Sequence, residues 1–399
     1  MKKLLSFLIA AMLVMTSAVA SADTKIDPKE KRGIQVKDAG LNEVEEGISP
    51  TTGLTLSMLN VPEGFSGMAK TGRYMPTLTQ IGNDEGGIGH RAPWGVAYAD
   101  IVYETMLYRA NGSCTRLMFL FNDVIPDSVG PIRSMRVTNV WIREEWDAVY
   151  LYHGQQTYDG SNAVQELRNL GHDYIYDPVL FNGWAGAKDW DRYFSRRSGI
   201  PSPHNRNVNP VGITKNLVPE DYDFPNHAFK FTDEVPEGDT ALDVKINWRS
   251  EVNSENNSEL VYDVDANAYL RYLNKGKNGL HPWVDRDEGT QIAFANVIVQ
   301  FTDSKFNGRK DAPVQYVIGK NNTPAEGNAD FFMAGKHVSG YWKRDSAYDR
   351  TIYYGPDGEE ISLQRGKTFI VIFPTDAKVM ADESAAGGCS VSYSDKLPW

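Results

Sequence analysis

Two arginines and a serine lie close together in residues 130–136. Guanidinium groups bind carboxylates and phosphates through paired hydrogen bonds, and a hydroxyl adds another donor. Because proline suits the first turn of a helix, we predict a helix over residues 131–145 with both arginines on one face. A bound anion would offset the unfavourable placement of two cations at the positive, amino-terminal end of this helix. We therefore predict an anion site at Arg133, Ser134 and Arg136, the alternative being two solvated surface arginines.

Two histidines can provide proton transfer near that segment. His153 ends an apolar run, and His204 lies beside Asn205 in the long loop over residues 174–209. Imidazole accepts or donates a proton near neutral pH. We predict that His153 and His204 are the acid–base residues if the protein is an enzyme, and that Asn205 contributes to ligand binding. A hydrogen-bonded scaffold role is the alternative for each histidine.

The elements around these residues follow an α/β pattern. Residues 98–108 and 114–121 are apolar runs separated by an Asn-Gly turn, which predicts a β-hairpin. A further buried strand is predicted over residues 148–153, after the helix. Glu104 and Arg116 lie on the two strands of the hairpin, and we predict a buried ion pair between them.

The second part of the chain has short β-type runs separated by turns, which predicts a β-rich, mostly antiparallel sheet. The predicted fold class is an α/β (α+β) amino-terminal domain followed by this β-rich domain. A length of 399 residues also favours two domains, because single cores rarely exceed about 250–300 residues. The predicted organisation is a signal peptide (1–22), a flexible arm (23–68), the α/β domain (69–235), the β-rich domain (240–376) and a loose tail (377–399).

The amino terminus has the pattern of a secretory signal. Lys2 and Lys3 precede an apolar run over residues 4–15, and small residues suited to cleavage follow. The run is too short to span a bilayer, and no later run is long enough. We therefore expect a secreted, extracytoplasmic protein without a transmembrane segment after cleavage, held to the envelope by contacts.

Charge and cysteine content narrow the function classes. The net charge of −11 argues against a general nucleic-acid binder. The chain has two cysteines, Cys114 and Cys389, which can pair in an oxidising compartment; two isolated thiols are the alternative. Phosphate-loop, zinc-protease and serine-hydrolase motifs are absent from the sequence, so we predict no cofactor and no metal.

Taken together, several motifs resemble the YerB-like family, the domain of unknown function 3048 of bacterial envelope proteins. The resemblance implies a two-domain extracytoplasmic protein that works alongside cell-wall synthesis, and it implies no activity. The sequence departs from the family pattern in lacking an anchoring cysteine and in having Cys114 where an aliphatic residue is expected. The motifs are Ala99–Glu104, Thr115-Arg116, Gly130–Ser134, Asp147–Val149 and Pro203–Asn205, followed by Tyr262-Asp263, Tyr269, Arg271, Asp285, Asn296–Val299, Gly340, Trp342 and Gly366.

Two functions remain open from the sequence. The first is an envelope accessory protein whose amino-terminal domain captures an anionic group of wall material and whose β-rich domain docks a partner, such as a cell-wall synthesis protein. The second is a cofactor-free hydrolase or transferase that acts on cell-wall fragments through a histidine. We favour the first, because no nucleophile with an evident base is visible in the sequence.

Overall fold

The computed structural model describes residues 32, 34–37, 39–40, 42–108, 114–184, 189–248, 256–274, 279–306, 313–375, 377–382 and 387–393. The predicted signal peptide and the turn of the predicted hairpin lie outside these ranges. The α-helices are α1 (Met68–Thr71), α2 (Val137–Trp146), α3 (Ala163–Asn169) and α4 (Pro210–Asn216). Short 3₁₀ helices span Leu56–Met58, Asp84–Gly86, Gly89–Arg91, Val96–Tyr98 and Asp189–Tyr193. Within the described ranges no helix is both long and apolar enough to cross a membrane.

Most of the regular structure is β-strand. The strands in chain order are β1 (Thr77–Gly82), β2 (Ile101–Tyr108), β3 (Cys114–Phe121), β4 (Val149–Tyr152), β5 (Thr157–Tyr158), β6 (Ser161–Asn162), β7 (Leu180–Asn182), β8 (Phe194–Arg196), β9 (Arg206–Val208), β10 (Lys230–Thr232), β11 (Asp239–Thr240), β12 (Asp243–Asn247), β13 (Ser258–Asp263), β14 (Ala268–Asn274), β15 (Leu280–Pro282), β16 (Ala293–Phe294), β17 (Asn296–Thr302), β18 (Ser304–Phe306), β19 (Pro313–Gln315), β20 (Ala325–Met333), β21 (Lys336–Arg344), β22 (Ile352–Tyr354), β23 (Ser362–Gln364), β24 (Thr368–Pro374), β25 (Ala377–Asp382) and β26 (Gly388–Tyr393). The predicted fold class is confirmed, with the helices in the first half and a strand-rich, mostly antiparallel second half.

One large sheet joins the two halves of the chain. Its order is β11-β21-β20-β17-β24-β2-β3-β1-β4-β7, with β22 beside β21. The predicted hairpin of β2 and β3 is confirmed as an antiparallel pair. β2 also pairs in parallel with β24, so strands from both predicted domains share this sheet. β1, β4 and β7 are mutually parallel, which places their carboxyl ends at one edge.

The large sheet is buried on both faces. Along β24, Phe369 and Val371 point into one core and Ile370 and Ile372 into the other. One core packs against α2 and α3, and the other includes side chains of a second sheet ordered β15-β14-β13-β12-β26-β25. Burial on both faces explains why the central strand β24 is a continuous apolar run without polar alternation.

Helix α2 begins later than predicted. The preceding residues, 130–135, are extended and bonded to neighbouring segments. The amide of Ile132 donates to the carbonyl of Arg206 (3.0 Å), and the amide of Arg133 donates to the carbonyl of Gln80 (2.8 Å). These tertiary hydrogen bonds hold the segment out of the helix, so the predicted helical first turn with two arginines on one face was wrong.

A polar segment ahead of β1 packs into the body of the protein. The hydroxyls of Ser49 and Thr52 each donate to the carboxylate of Asp123 at 2.7 Å, and that of Thr51 donates to Asp100 at 2.8 Å. All five side chains are buried. Because the hydroxyls satisfy two buried carboxylates, this packing corrects the prediction of a flexible arm for these residues.

The described part of the predicted loose tail is also ordered. β25 and β26 form a hairpin, and β26 pairs in parallel with β12. The side chain of Val391 is fully buried there, and Cys389 is also buried. Apolar burial therefore holds these strands, which corrects the predicted loose tail. The side chain of Cys114 lies outside the described residues, so its pairing with Cys389 stays a prediction.

Candidate anion-binding site

Three polar or aromatic residues follow the ends of the three parallel strands. Asp84 comes just after β1, His153 directly after β4, and Trp184 shortly after β7. Carboxyl ends of parallel strands commonly form binding sites, because the loops that follow them meet at one edge. The residues predicted for the site from the sequence gather at this same edge.

Arg133 is the centre of the polar contacts. Its Nη2 donates to Asp84 Oδ2 at 2.7 Å and lies 2.9 Å from His204 Nδ1. Its Nη1 donates to the carbonyl of Pro203, and its own carbonyl accepts from the amide of His153 at 2.8 Å. The structure therefore brings Arg133 close to Asp84, His204 and the backbone of His153, although these residues are far apart in the sequence.

Asp84 connects a second arginine to this group. Its Oδ1 lies 3.3 Å from Arg116 Nη1. Burial alone would raise the pKa of Asp84, but the charges of Arg116 and Arg133 outweigh it and hold this pKa below its usual range. Asp84 is therefore a carboxylate that positions two guanidinium groups.

The predicted ion pair between Glu104 and Arg116 does not form. Glu104 is opposite Leu117 and Arg116 is opposite Thr105, so the two side chains point to opposite faces of the sheet. Glu104 Oε2 instead lies 3.4 Å from Arg271 Nη2, and burial raises the pKa of Glu104. This prediction was wrong because it placed the two residues on one face of the hairpin.

Two more arginines face each other on a short ribbon. Arg196 on β8 and Arg206 on β9 are directly opposite in the antiparallel register. Like charges in that arrangement repel each other. Among the described residues, neither guanidinium group lies in an ion pair; Arg196 Nη1 donates instead to Asn205 Oδ1 at 2.9 Å.

Packing directs this ribbon toward the strand ends. Phe194 is on the same face of β8 as Arg196, and its ring fills the space where a side chain at Gly183 would lie. Val208 is the corresponding residue on β9 and is fully buried. The apolar end of the ribbon therefore anchors it over the end of β7.

The pKa shifts show that the arginines act on one another and on His153. Burial and the charges of Arg206, Arg196 and Arg133 lower the pKa of His153 to about 4. Burial, followed by the charges of Arg196 and Arg133, lowers the pKa of Arg206. We call Arg133, His153, Arg196 and Arg206 the basic edge. Its electrostatic field favours a bound anion.

The other predicted site residues have more local roles. Arg136 is the N-cap residue of α2, where its backbone amide donates to Asn139 Oδ1 at 3.1 Å, and its Nη1 donates to Ser134 Oγ at 2.8 Å. Asn205 holds Arg196, as described above, and so positions an arginine of the basic edge. Burial and the charge of Arg133 lower the pKa of His204, whose ring nitrogens lie 2.9 Å from Arg133 Nη2 and 3.4 Å from Arg91 Nε.

The sequence analysis missed Asp84, Trp184 and the opposed pair of Arg196 and Arg206. The arginine-rich composition of residues 174–209 is a partial signal for the pair. The register that sets the two arginines opposite each other depends on the ribbon, which that composition does not encode.

The fold and the site together define a class of protein. Its α/β part and its β-rich part contribute strands to one shared sheet, and a basic edge lies where the parallel strands of that sheet end. Residues 65–223 match the family described as "Protein of unknown function (DUF3048) N-terminal domain". Residues 245–370 match the corresponding "C-terminal domain". The chain belongs to the DUF3048 family, which confirms the resemblance seen in the sequence.

Known relatives agree with this assignment. The chain is 25% identical over 289 residues to "Putative lipoprotein YerB" of Bacillus subtilis (strain 168), covering 70% of this chain and 76% of that protein. A crystal structure of the YerB protein from Bacillus subtilis is similar with a TM-score of 0.60 and 21% identity, covering 82% of this chain and 96% of that one. The structural similarity shows a common fold.

Proposed function

We propose that this chain is an extracytoplasmic, envelope-associated protein that captures an anionic group of wall material at the basic edge. The observation that carries the proposal is the pair of Arg196 and Arg206. The two residues are directly opposite in the register of one ribbon, and neither side chain lies in an ion pair with a described residue. A carboxylate or phosphate between them would replace repulsion by charge-assisted hydrogen bonds.

The acidic net charge of the chain means that anion binding must depend on a local site. The chain has a net charge of −11, so its overall field repels anions. Binding of an anionic polymer therefore has to rely on a concentrated basic region. At the basic edge three arginines and a neutral histidine form that region, and Asp84 is the carboxylate that pairs with Arg133.

Location is the second element of the proposal. The Bacillus subtilis relative is named as a lipoprotein, and this sequence begins with the pattern of a secretory signal. An extracytoplasmic protein meets wall polymers that carry carboxylates and phosphates. This chemistry is the one that paired arginines recognise.

Docking of a partner by the β-rich part has less support. The aromatic residues that the sequence offers there include Trp283, Tyr341 and Trp342, and all three are buried. They contribute to the core and leave no aromatic platform at those positions. We therefore base the proposal on the basic edge, and a protein partner stays a prediction.

Co-sedimentation with purified cell-wall fragments tests the proposal. The protein without residues 1–22 is compared with the double variant Arg196→Gln/Arg206→Gln. We expect the variant to bind at least five-fold more weakly, and the wild-type affinity to fall as salt is raised. The matched control is Arg168→Gln/Lys215→Gln, which removes two exposed positive charges away from the site.

Equal binding by the two double variants would contradict the proposal. The same incubation tests the alternative of a hydrolase or transferase, if the fragments are analysed afterwards by mass spectrometry. A mass change that needs His153 or His204 would replace capture with catalysis.

A further inference from the structure

Trp184 presents an exposed aromatic ring next to the basic edge. Its side chain is 69% exposed, although tryptophan is usually mostly buried. The ring stacks on the imidazole of His153, with 6.1 Å between the ring centroids and 14° between the planes. An aromatic surface therefore adjoins one member of the basic edge.

The backbone around the ring is held in place. Asn182 Oδ1 accepts from the amides of Gly154 (2.8 Å) and Trp184 (3.0 Å), and Asn182 Nδ2 donates to Gln155 Oε1 at 2.9 Å. Gly154 has a φ of +82°, and a Cβ there would lie 2.6 Å from Trp184 Cε3. The glycine thus allows the indole to lie against the chain turn after β4.

Hydroxyl and amide groups surround this platform. The Cβ of Ser134 lies 3.6 Å from the position that a Cβ on Gly154 would take, so Ser134 adjoins the glycine turn against which the indole lies. Its hydroxyl is already bonded to Arg136, and a hydroxyl can both donate and accept. Gln155 adds an amide on the same turn. Such groups suit a ligand with several hydroxyls.

We propose that Trp184 and the basic edge together bind an acidic sugar. The apolar face of the sugar ring stacks on the indole of Trp184, its hydroxyls bond to Ser134 and Gln155, and its carboxylate or phosphate binds Arg196 and Arg206. This inference rests on the proposed function and specifies its ligand class. An acidic peptide would leave the flat exposed indole without a matching ring.

Isothermal titration calorimetry with small probes tests the ligand class. The acidic sugars are glucuronic acid and glucose 6-phosphate, and the matched anions without a sugar ring are acetate and inorganic phosphate. Glucose tests the ring without a charge, and an Asp-containing dipeptide tests the peptide alternative. We expect each acidic sugar to bind at least five-fold more tightly than its matched anion and than glucose.

Two variants of Trp184 separate stacking from charge. Trp184→Ala should abolish the tighter binding of acidic sugars relative to their matched anions and leave phosphate binding unchanged. Trp184→Phe should keep most of this difference in affinity. Arg206→Gln should weaken the binding of all anionic probes. Because Trp184 is exposed, both Trp184 variants should fold, and circular dichroism checks this.

Different failures have different meanings. One outcome is that phosphate binds through Arg206, acidic sugars bind no more tightly than their matched anions, and Trp184→Ala has no effect on affinity. That outcome overturns the sugar inference and leaves anion capture in place. The inference is also overturned if the dipeptide binds as tightly as the acidic sugars with the same dependence on Trp184. If no anionic probe binds, both proposals are overturned.

Discussion

The charge cluster around His172 and the basic edge contain the same kinds of side chain, but they differ in charge balance. His172 lies 2.8 Å from Glu144 and 2.7 Å from Asp177, and Glu144 also pairs with Arg143 at 2.9 Å. We call these four residues the balanced cluster. In this cluster Glu144 and Asp177 face one guanidinium group and one imidazole, and a third carboxylate, Asp147, lies 2.9 Å from Arg143, so every cation has a carboxylate partner. The basic edge instead has three arginines beside its histidine.

The difference in charge balance shifts the pKa values of His172 and His153 in opposite directions. Burial lowers the pKa of His172, but its hydrogen bonds to Asp177 and Glu144 outweigh burial and raise the pKa to about 9. Burial and neighbouring arginines lower the pKa of His153 to about 4. A cluster with matched charges contributes to stability, and one with unmatched charges is suited to a ligand.

The largest effect is expected from Arg143→Met in the balanced cluster. Arg143 is fully buried, and its Nε also donates to the carbonyl of Ala148 at 2.8 Å. Its removal takes away one of the two cationic partners of the buried Glu144 and the partner of Asp147, so the free energy of unfolding should fall by about 3–5 kcal/mol. Urea denaturation measures this change.

Arg168→Met on the adjacent helix α3 is the matched control. Arg168 is exposed, so this variant should change stability by less than about 0.5 kcal/mol. Equal losses in the two variants would show that the balanced cluster has no special role in stability.

A pH-dependent effect of about 2 kcal/mol is expected from His172, because solvent screening of this partly exposed group reduces the about 3 kcal/mol that its full pKa shift would give. Because folding raises its pKa from 6.5 to about 9, the charged imidazole stabilises the protein fully below pH 6.5. This contribution decreases as the pH rises and is lost above about 9. The stability difference between wild type and His172→Gln, measured from pH 6 to 10, should therefore shrink; a constant difference would contradict the assignment.

A smaller effect, a rise in the pKa of His153, is expected when an anion binds. An anion near Arg206 and Arg196 reduces their effect on the imidazole, so the pKa of His153 should rise from about 4 toward its ordinary value of 6.5. NMR titration of the imidazole protons with and without phosphate measures the shift. His172 serves as an internal control, since its pKa should not move; equal shifts at both histidines would indicate a general ionic-strength effect.

The smallest effect is expected from Arg206→Gln on stability. Removing one of two opposed like charges should leave the free energy of unfolding unchanged or raise it by up to about 1 kcal/mol. Urea denaturation at low salt is the measurement. A loss of more than about 1 kcal/mol would place Arg206 among the structural charges and remove the contrast with the balanced cluster.

Local patterns in the sequence predicted several features correctly. The apolar runs and the Asn-Gly turn led to the hairpin of β2 and β3, because strand and turn preferences act over a few residues. The arginine at position 133 was assigned to the site from its residue type. The structure places it 2.9 Å from His204, a contact across 71 residues that the local pattern does not encode, and the anion site itself stays a prediction.

Features that depend on register were not predictable in this way. Glu104 and Arg116 are on paired strands, but a one-residue difference in register separates their faces. Residues 131–135 start with a helix-favouring proline, yet hydrogen bonds to Gln80 and Arg206 keep them extended. In both places contacts with distant segments outweighed the local preference.

By itself, the sequence determined the fold class, the acidic net charge and the types of residue available for an anion site. Only the tertiary structure decided that Arg196 lies opposite Arg206, that both act on His153, and that Trp184 is exposed beside them. The physical reason is that charge–charge interactions depend on distance and burial, and these are set when strands and loops from distant parts of the chain pack together.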